Sequence, residues 1–320
     1  MATYQANMTA RPDLTQVIQQ YAIQPDTYAH EMGAPVAGVE NQKGLVSVVT
    51  RASMLRVTSL DRAPDGGYSR IDDQFDAMAY ECRDKGKEYP LSVGEQNPPG
   101  LDLEMHAAGT LAVTVRQAAE QMFVNTLQDT EVFNDSDGNA TIPDVSWATS
   151  STATPVNDIG VAVDKVRDAT GIPANTVIMS GAQMRYLLNS SQIATKIAGV
   201  VIQTPALVKQ YLAGLLGVEQ VIVSNAIGNT NKTPGSFTAS SLWGTQYVMV
   251  CLLATPGAPL QVPSLVRTLE WTGDSNGWMA DRYYEDASRQ WVLRARRNIQ
   301  MKVIDPAFGC LVDIASGGAS

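Results

Sequence analysis

The sequence has 320 residues, 44% of them apolar, which suits one large domain or two smaller ones and excludes general disorder. Thirty-two acidic residues against 23 basic ones leave a net charge of −9, the reverse of what a protein dedicated to gripping nucleic-acid phosphates carries. No run of 18 or more apolar residues occurs, and Met1–Gln5 lacks the basic-then-apolar pattern of a secretory leader, so the chain reads as one that stays in the cytosol.

Residues 1–44 are polar and Gln-rich (Gln16, Gln19, Gln20, Gln24), punctuated by Pro12, Pro25 and Pro35. Only Leu14, Val17 and Ile18 have helical spacing, too little apolar surface to fold alone. A neighbouring subunit is the expected source of order for this arm. From residue 45 the pattern turns to strand. Leu45–Val49 is β-branched and apolar, Met54–Val57 follows, and Met78, Tyr80 and Cys82 alternate with Ala79, Glu81 and Arg83. With Ala63-Pro64-Asp65-Gly66-Gly67 as its turn, the segment predicts a long two-stranded excursion. Its charged tip would run through Arg83-Asp84-Lys85-Gly86-Lys87-Glu88. Such a ribbon is marginal in water and needs a surface to lie on.

After Asn97-Pro98-Pro99-Gly100, the apolar residues Ala108, Leu111, Ala112, Val115, Ala119, Met122, Phe123 and Leu127 recur at spacings of three and four. They predict one amphipathic helix over residues 102–131. Residues 134–155 read as a polar loop. Its Asp135, Asp137 and Asn139 have the wrong glycine placement for a calcium loop, and Ser146 stands where a bidentate Glu is needed. Residues 156–259 are α/β in pattern: a helix opened by Asn157-Asp158 and closed by Gly171, then a buried strand Thr176–Ser180. Short helices are expected around Met184–Leu188 and Ile193–Ile197 and a longer one over Pro205–Leu216, followed by strands at Gln220–Val223 and Tyr247–Leu252. From Trp291 to Val303 odd positions are apolar and even ones polar, except Val292 and Arg297. That predicts a strand of about 13 residues, more than twice the usual length. Ser264–Trp271 supplies a second strand, with Thr272–Gly277 as the turn.

Chemistry is hard to find. His30 and His106 lie 76 residues apart, without the ligand spacing of a zinc site. Met179-Ser180-Gly181-Ala182 follows a strand but lacks the first glycine of a nucleophile elbow. Gly214-Leu215-Leu216-Gly217 is a helix end and not a dinucleotide fingerprint. Asp281, Glu285 and Asp286 beside Arg282 and Tyr283-Tyr284 have acid/base potential, but a solvated or subunit-contact face is the preferred reading. Cys82, Cys251 and Cys310 are read as small apolar residues. No cofactor or metal is expected.

This order of parts resembles the tailed-bacteriophage major capsid proteins. The resemblance is strongest in Thr170–Ser180, in Ala213–Val223, and in Trp291–Pro306 with its Arg294, Arg296 and Arg297. It implies an α+β fold: an N-terminal arm (1–44), an extended β loop (45–100), a spine helix opening a peripheral domain (101–155), an axial α/β domain (156–259) and the peripheral sheet (260–320). It implies a non-enzymatic coat subunit, assembled in the host cytoplasm as pentamers and hexamers into an icosahedral head. That head would enclose double-stranded DNA without sequence-specific binding and without a membrane. A separate scaffolding protein, a portal protein and a decoration protein are the partners it suggests. The arm, β loop and spine helix would find their burial on sister copies, with Arg83, Lys85, Lys87, Glu88, Arg282, Glu285, Arg294 and Arg296 as inter-subunit contacts. Pro64–Gly67 and Asn97–Gly100 would be the hinges. Some relatives join subunits through a Lys and an Asn; Lys85 or Lys87 with Asn298 have that chemistry, but no motif marks them, so no crosslink is expected. Two other readings stand beside this one, an encapsulin-type compartment shell and a soluble α/β enzyme.

Overall fold

The structure is a computed structural model that describes residues 9–20, 28–49, 75–92, 102–197, 205–229, 231, 233, 236, 238–274 and 276–315. The front of the chain gives β1 (Thr9–Ala10), α1 (Pro12–Gln20), α2 (His30–Gly33), β2 (Val36–Val39), β3 (Lys43–Val49), β4 (Phe75–Glu81) and β5 (Arg83–Ser92). The long helix α3 (Leu103–Leu127) is followed by β6 (Ala140–Thr141), α4 (Pro155–Thr170), β7 (Thr176–Ser180), α5 (Gly181–Asn189), α6 (Ser191–Ile197), α7 (Pro205–Leu216) and β8 (Gln220–Ser224). A hairpin of β9 (Ile227–Asn229) and β10 (Ala239–Ser241) leads to β11 (Tyr247–Cys251). The chain closes with β12 (Val266–Trp271), β13 (Met279–Glu285), β14 (Gln290–Val303) and β15 (Gly309–Asp313).

Helix α3 begins where the Asp102 carboxylate accepts the backbone N–H groups of Glu104 and Met105, two donors that a helix start otherwise leaves orphaned. It ends four residues short of the expected 131, because the Asp129 side chain accepts the Glu131 N–H and turns the chain. Its 25 residues span about 37 Å. The apolar stripe serves two different sheets. Ala107, Ala108, Leu111, Ala112 and Val115 pack against Leu293 and Ala295 of β14. One helical turn beyond Ala119, Phe123, Val124 and Leu127 pack against Ile178, Ile222, Met249 and Leu311.

The first sheet is organised by β14, whose 14 residues take partners along both edges. On one edge β5 runs antiparallel from Gln290↔Ser92 to Ile299↔Arg83. On the other, β13 covers Gln290–Arg296 and β12 covers Ile299–Val303, both antiparallel to β14. Since β12 and β13 run the same way, Thr272–Gly277 is an excursion between collinear strands and not the reversing turn expected of it. The reversal falls in the loop 286–289, where Arg289 adopts a positive φ of 50°. The outer strands β1 and β2 complete the sheet beside β13 and β12.

Two expectations about the front of the chain are corrected here. Leu14 and Ile18 are buried against Ala107, Ala108, Leu111 and Ala280, and β1 pairs with Asp281 and Arg282. Residues 9–20 therefore find their burial on their own chain, not on a sister copy; the groove between α3 and β13 accepts the apolar stripe of α1. The long helix likewise buries its stripe within the subunit. Second, Arg83–Glu88 is not the tip of the excursion. Cys82, fully buried below Leu269, marks the point where the chain leaves the β3–β4 ribbon and joins the edge of β14 as β5. There ten residue pairs with β14 become available. The ribbon is β3 paired with β4, from Lys43↔Glu81 to Val49↔Phe75, and among the described residues these two strands pair only with each other. The expected strand Met54–Val57, the turn Ala63–Gly67 and the breaker Asn97–Gly100 lie outside the described residues.

The second sheet has the order β6-β15-β11-β7-β8. Alternate residues of its strands face opposite layers. Val177, Met179, Val221, Val223, Val248 and Val250 pack under the helices of residues 155–216, whereas Ile178, Ile222 and Met249 pack on the end of α3. Helix α4 opens at Pro155, two residues before the expected Asn157, and Gly171 closes it in the left-handed conformation (φ 76°) as expected. The final strand, grouped by sequence with the long strand, pairs instead with β11 and β6. Cys310 lies on it; burial pushes its thiol up to about 12, and burial also raises Cys251 and Cys82. All three cysteines are unbridged and buried. The native protein is therefore expected to resist iodoacetamide at pH 8 and to take up label only after denaturation, as intact mass will show.

Candidate assembly surface

The charged residues expected at subunit contacts divide into two groups. In the first, the partner is internal. Asp281 on β13, its side chain 4% exposed, accepts from Arg294 Nη2 at 2.9 Å and from Arg296 Nε at 2.8 Å. Arg296 also reaches Asp274 at 2.6 Å, and Arg297 pairs with Glu270 at 2.7 Å. These contacts exist because β13 lies beside β14, placing Asp281 directly across from Arg294. Arg282 forms an ion pair with Glu104 at the start of α3, and its guanidinium stacks 4.0 Å from the Trp291 ring centroid. Glu285 accepts from Ser288 and Gln290 across the β13–β14 reversal, and Glu88 accepts from the Tyr283 hydroxyl at 3.1 Å. Arg282, Arg294, Arg296, Glu285 and Glu88 thus hold the subunit's own sheet together.

The second group is outward. Arg83, Asp84 and Lys87 are exposed on β5, and Lys85 is half-buried at a groove of about 350 Å³. That groove is lined by Glu81, Arg83, Met122, Asn125 and Gln300 among others. Met122, counted by spacing in the apolar stripe, lies at this groove instead of in the core. Among the described residues β5 borders β14 alone, and no described strand lies along its other edge. Charges along it and Pro90 near its end blunt that edge against strand addition. Gly86 permits the close approach to β14: a Cβ there would meet the Ala295 carbonyl oxygen at 2.6 Å. Asn298, in register with Asp84, is only 3% exposed. Its amide is shielded within the subunit. Shells boiled in detergent are expected to run as monomers; a ladder of multimers on the gel would overturn that.

The candidate chemical residues resolve into structure. Ser180 forms a capping box with Gln183: Ser180 Oγ accepts the Gln183 N–H, and Gln183 Oε1 accepts the Ser180 N–H. His106 is exposed on α3. Among the described residues, no group of three or more His, Cys, Asp or Glu side chains is placed to hold a metal ion. No helix among them is long and apolar enough to cross a membrane.

Sequence reasoning missed Glu120. It is fully buried and accepts from the backbone N–H groups of Ala29 (3.0 Å) and His30 (2.9 Å). Its other partners are His30 Nδ1 (2.8 Å), Ser224 Oγ (2.6 Å) and Trp243 Nε1 (2.6 Å). Burial alone would raise its carboxyl; the hydrogen bond and charge of His30, with Ser224, outweigh burial and hold it below the usual range. The available signal was a charged residue flanking an apolar stripe, beside Ala119 and three positions before Phe123.

Two sheets bridged by one long helix, with a separate β ribbon, make up a tailed-phage capsid-type fold. Among solved structures the chain is similar to a phage-related protein from Bordetella bronchiseptica RB50, with a TM-score of 0.72 at 16% identity over 97% of this chain and 99% of that one. It is similar to the virus-like particle from Pyrococcus furiosus, with a TM-score of 0.56 at 12% identity over 94% and 98%. It is also similar to the capsid of the cyanophage P-SCSP1u, with a TM-score of 0.54 at 10% identity over 91% and 89%. At these identities the fold is what is shared. No protein-family model matches the sequence, and no curated protein matches it. The same fold occurs in proteins described as phage and GTA-particle capsids.

Proposed function

We propose that this chain is the coat subunit of a phage-type icosahedral shell, assembled from pentamers and hexamers around double-stranded DNA. The observation that carries the reading is the end-to-end similarity to the phage-related protein, which leaves almost no part of either chain unmatched. In this reading α3 is the spine, the sheet around β14 is the peripheral domain and the sheet around β11 is the axial domain. Residues 1–44 and the ribbon overlap neighbouring copies beyond the portion that folds onto its own subunit. Arg83, Lys85, Lys87 and Glu88 on β5, with Arg282, Glu285, Arg294 and Arg296 on β13 and β14, are the proposed contact residues. The net charge of −9 suits a container that releases its contents. Many modest contacts, multiplied by symmetry, close the shell. A separate scaffolding protein, a portal and a decoration protein are the expected partners, and the host cytoplasm the place of assembly.

Negative-stain microscopy and gel filtration of the purified full chain, co-expressed with the neighbouring genes of its source, test the reading. Closed shells holding nuclease-protected double-stranded DNA support it. A small oligomer under those conditions, or shells filled with a protein cargo, would sink it.

A further inference from the structure

The stripe of α3 changes partners between Val115 and Phe123: before it the helix lies on the sheet around β14, after it on the sheet around β11. Glu120 sits at that change. Two of its partners, Ala29 and His30, belong to the segment that leads into β2 at the edge of the first sheet. The other two are Ser224, at the end of β8 in the second sheet, and Trp243; they flank the separate β9–β10 hairpin. One carboxylate therefore closes hydrogen bonds to both sides.

An apolar contact repeats the arrangement one turn later. The Phe123 ring lies edge-to-face with Trp243, centroids 5.8 Å apart, and its other end fills the space where a Cβ on Gly33 would be, 2.6 Å from Cζ. Further side chains of α3 extend both attachments. Arg116 pairs with Glu31 at 3.0 Å, while Gln117 donates to the Ile227 carbonyl at 3.0 Å and Gln128 to the Trp243 carbonyl at 3.1 Å.

We infer that Glu120, backed by Phe123, is a latch that couples the 28–34 segment to the β9–β10 hairpin, so that loosening one side loosens the other. The physical reason is shared acceptors. Oε1 accepts from Ala29, Ser224 and Trp243 at once, so losing a donor on one side lets the carboxylate shift and lengthens the bonds on the other. The latch is a property of the folded chain and does not depend on what the chain encloses.

Hydrogen exchange of the full-length protein, each variant compared with wild type in the same assembly state, tests it. Trp243→Phe keeps an aromatic ring, smaller than the indole, and removes the donor; it is expected to speed exchange in peptides covering 28–34 by roughly tenfold. His30→Ala is expected to do the same for peptides covering 224–229 and 239–246, and the double variant to show less than the sum of the two. Glu120→Gln should release both segments together while distant β14 and β7 keep their protection. The inference is overturned if each single variant speeds exchange only on its own side and the double variant is additive. Should Glu120→Gln not fold, the two single variants and their double still decide the matter.

Discussion

Leu45→Glu is expected to leave the folded subunit intact and to abolish shell formation. Leu45 lies on β3 and is 69% exposed, and its cross-strand partner on the ribbon is only Ala79. In the single chain a charge at this position costs nothing in burial, so denaturation of the dissociated subunit should shift by no more than about 0.5 kcal/mol. In a shell the same residue is proposed to be covered by a neighbour. Burying leucine there would contribute about 1.5–3 kcal/mol per copy, and burying an unpaired carboxylate would oppose it. Multiplied over a closed lattice, that difference decides between particles and free subunits. Gel filtration and microscopy of the variant beside wild type check it. Shells forming with normal yield would show that the ribbon does not carry subunit contacts.

Phe123→Ala should instead destabilise the subunit itself, by about 3–5 kcal/mol. Phe123 is fully buried and is packed between the approach to Gly33 and the Trp243 ring. Removing it opens a cavity at the junction of the two sheets, where backbone on both sides limits collapse. For a chain of this size the thermal midpoint should fall by on the order of 10 °C. Met122→Ala, one residue away but at the open groove, should cost under about 1 kcal/mol. Denaturant titrations of both variants against wild type measure the contrast. Equal effects would mean the junction is not the core that the packing describes.

Placed together, the two variants separate what a subunit needs from what an assembly needs. The sequence reading had assigned the front of the chain to assembly. It expected the Leu14–Ile18 turn to rest on another copy because nothing nearby in sequence offered a surface. The partner was α3, almost a hundred residues later, and Glu104 of that helix also takes Arg11 at 3.2 Å. The charged stretch Arg83–Glu88 read as a tip because charge and a glycine look like a loop. On an edge strand, the same residues are the protection against unwanted pairing. Asp281 in the charged cluster 281–286 read as a solvated or subunit-contact face, and it is the partner of Arg294 and Arg296 on β14.

What the sequence determined by itself was every element whose signal is local. Periodicity located α3 and β14 to within a few residues, Gly171 ended α4, and the apolar run Thr176–Ser180 was a buried strand. The order of those elements was sufficient to identify the fold. Tertiary structure alone decided which strands lie beside β14, where the arm docks, and that Glu120 joins two layers. The docking of β5, the arm and Glu120 depends on pairings between residues from about ninety to more than two hundred apart. Such pairings are set by which surfaces meet in space, and a helix stripe or a strand alternation specifies only that a surface must be covered, not by what.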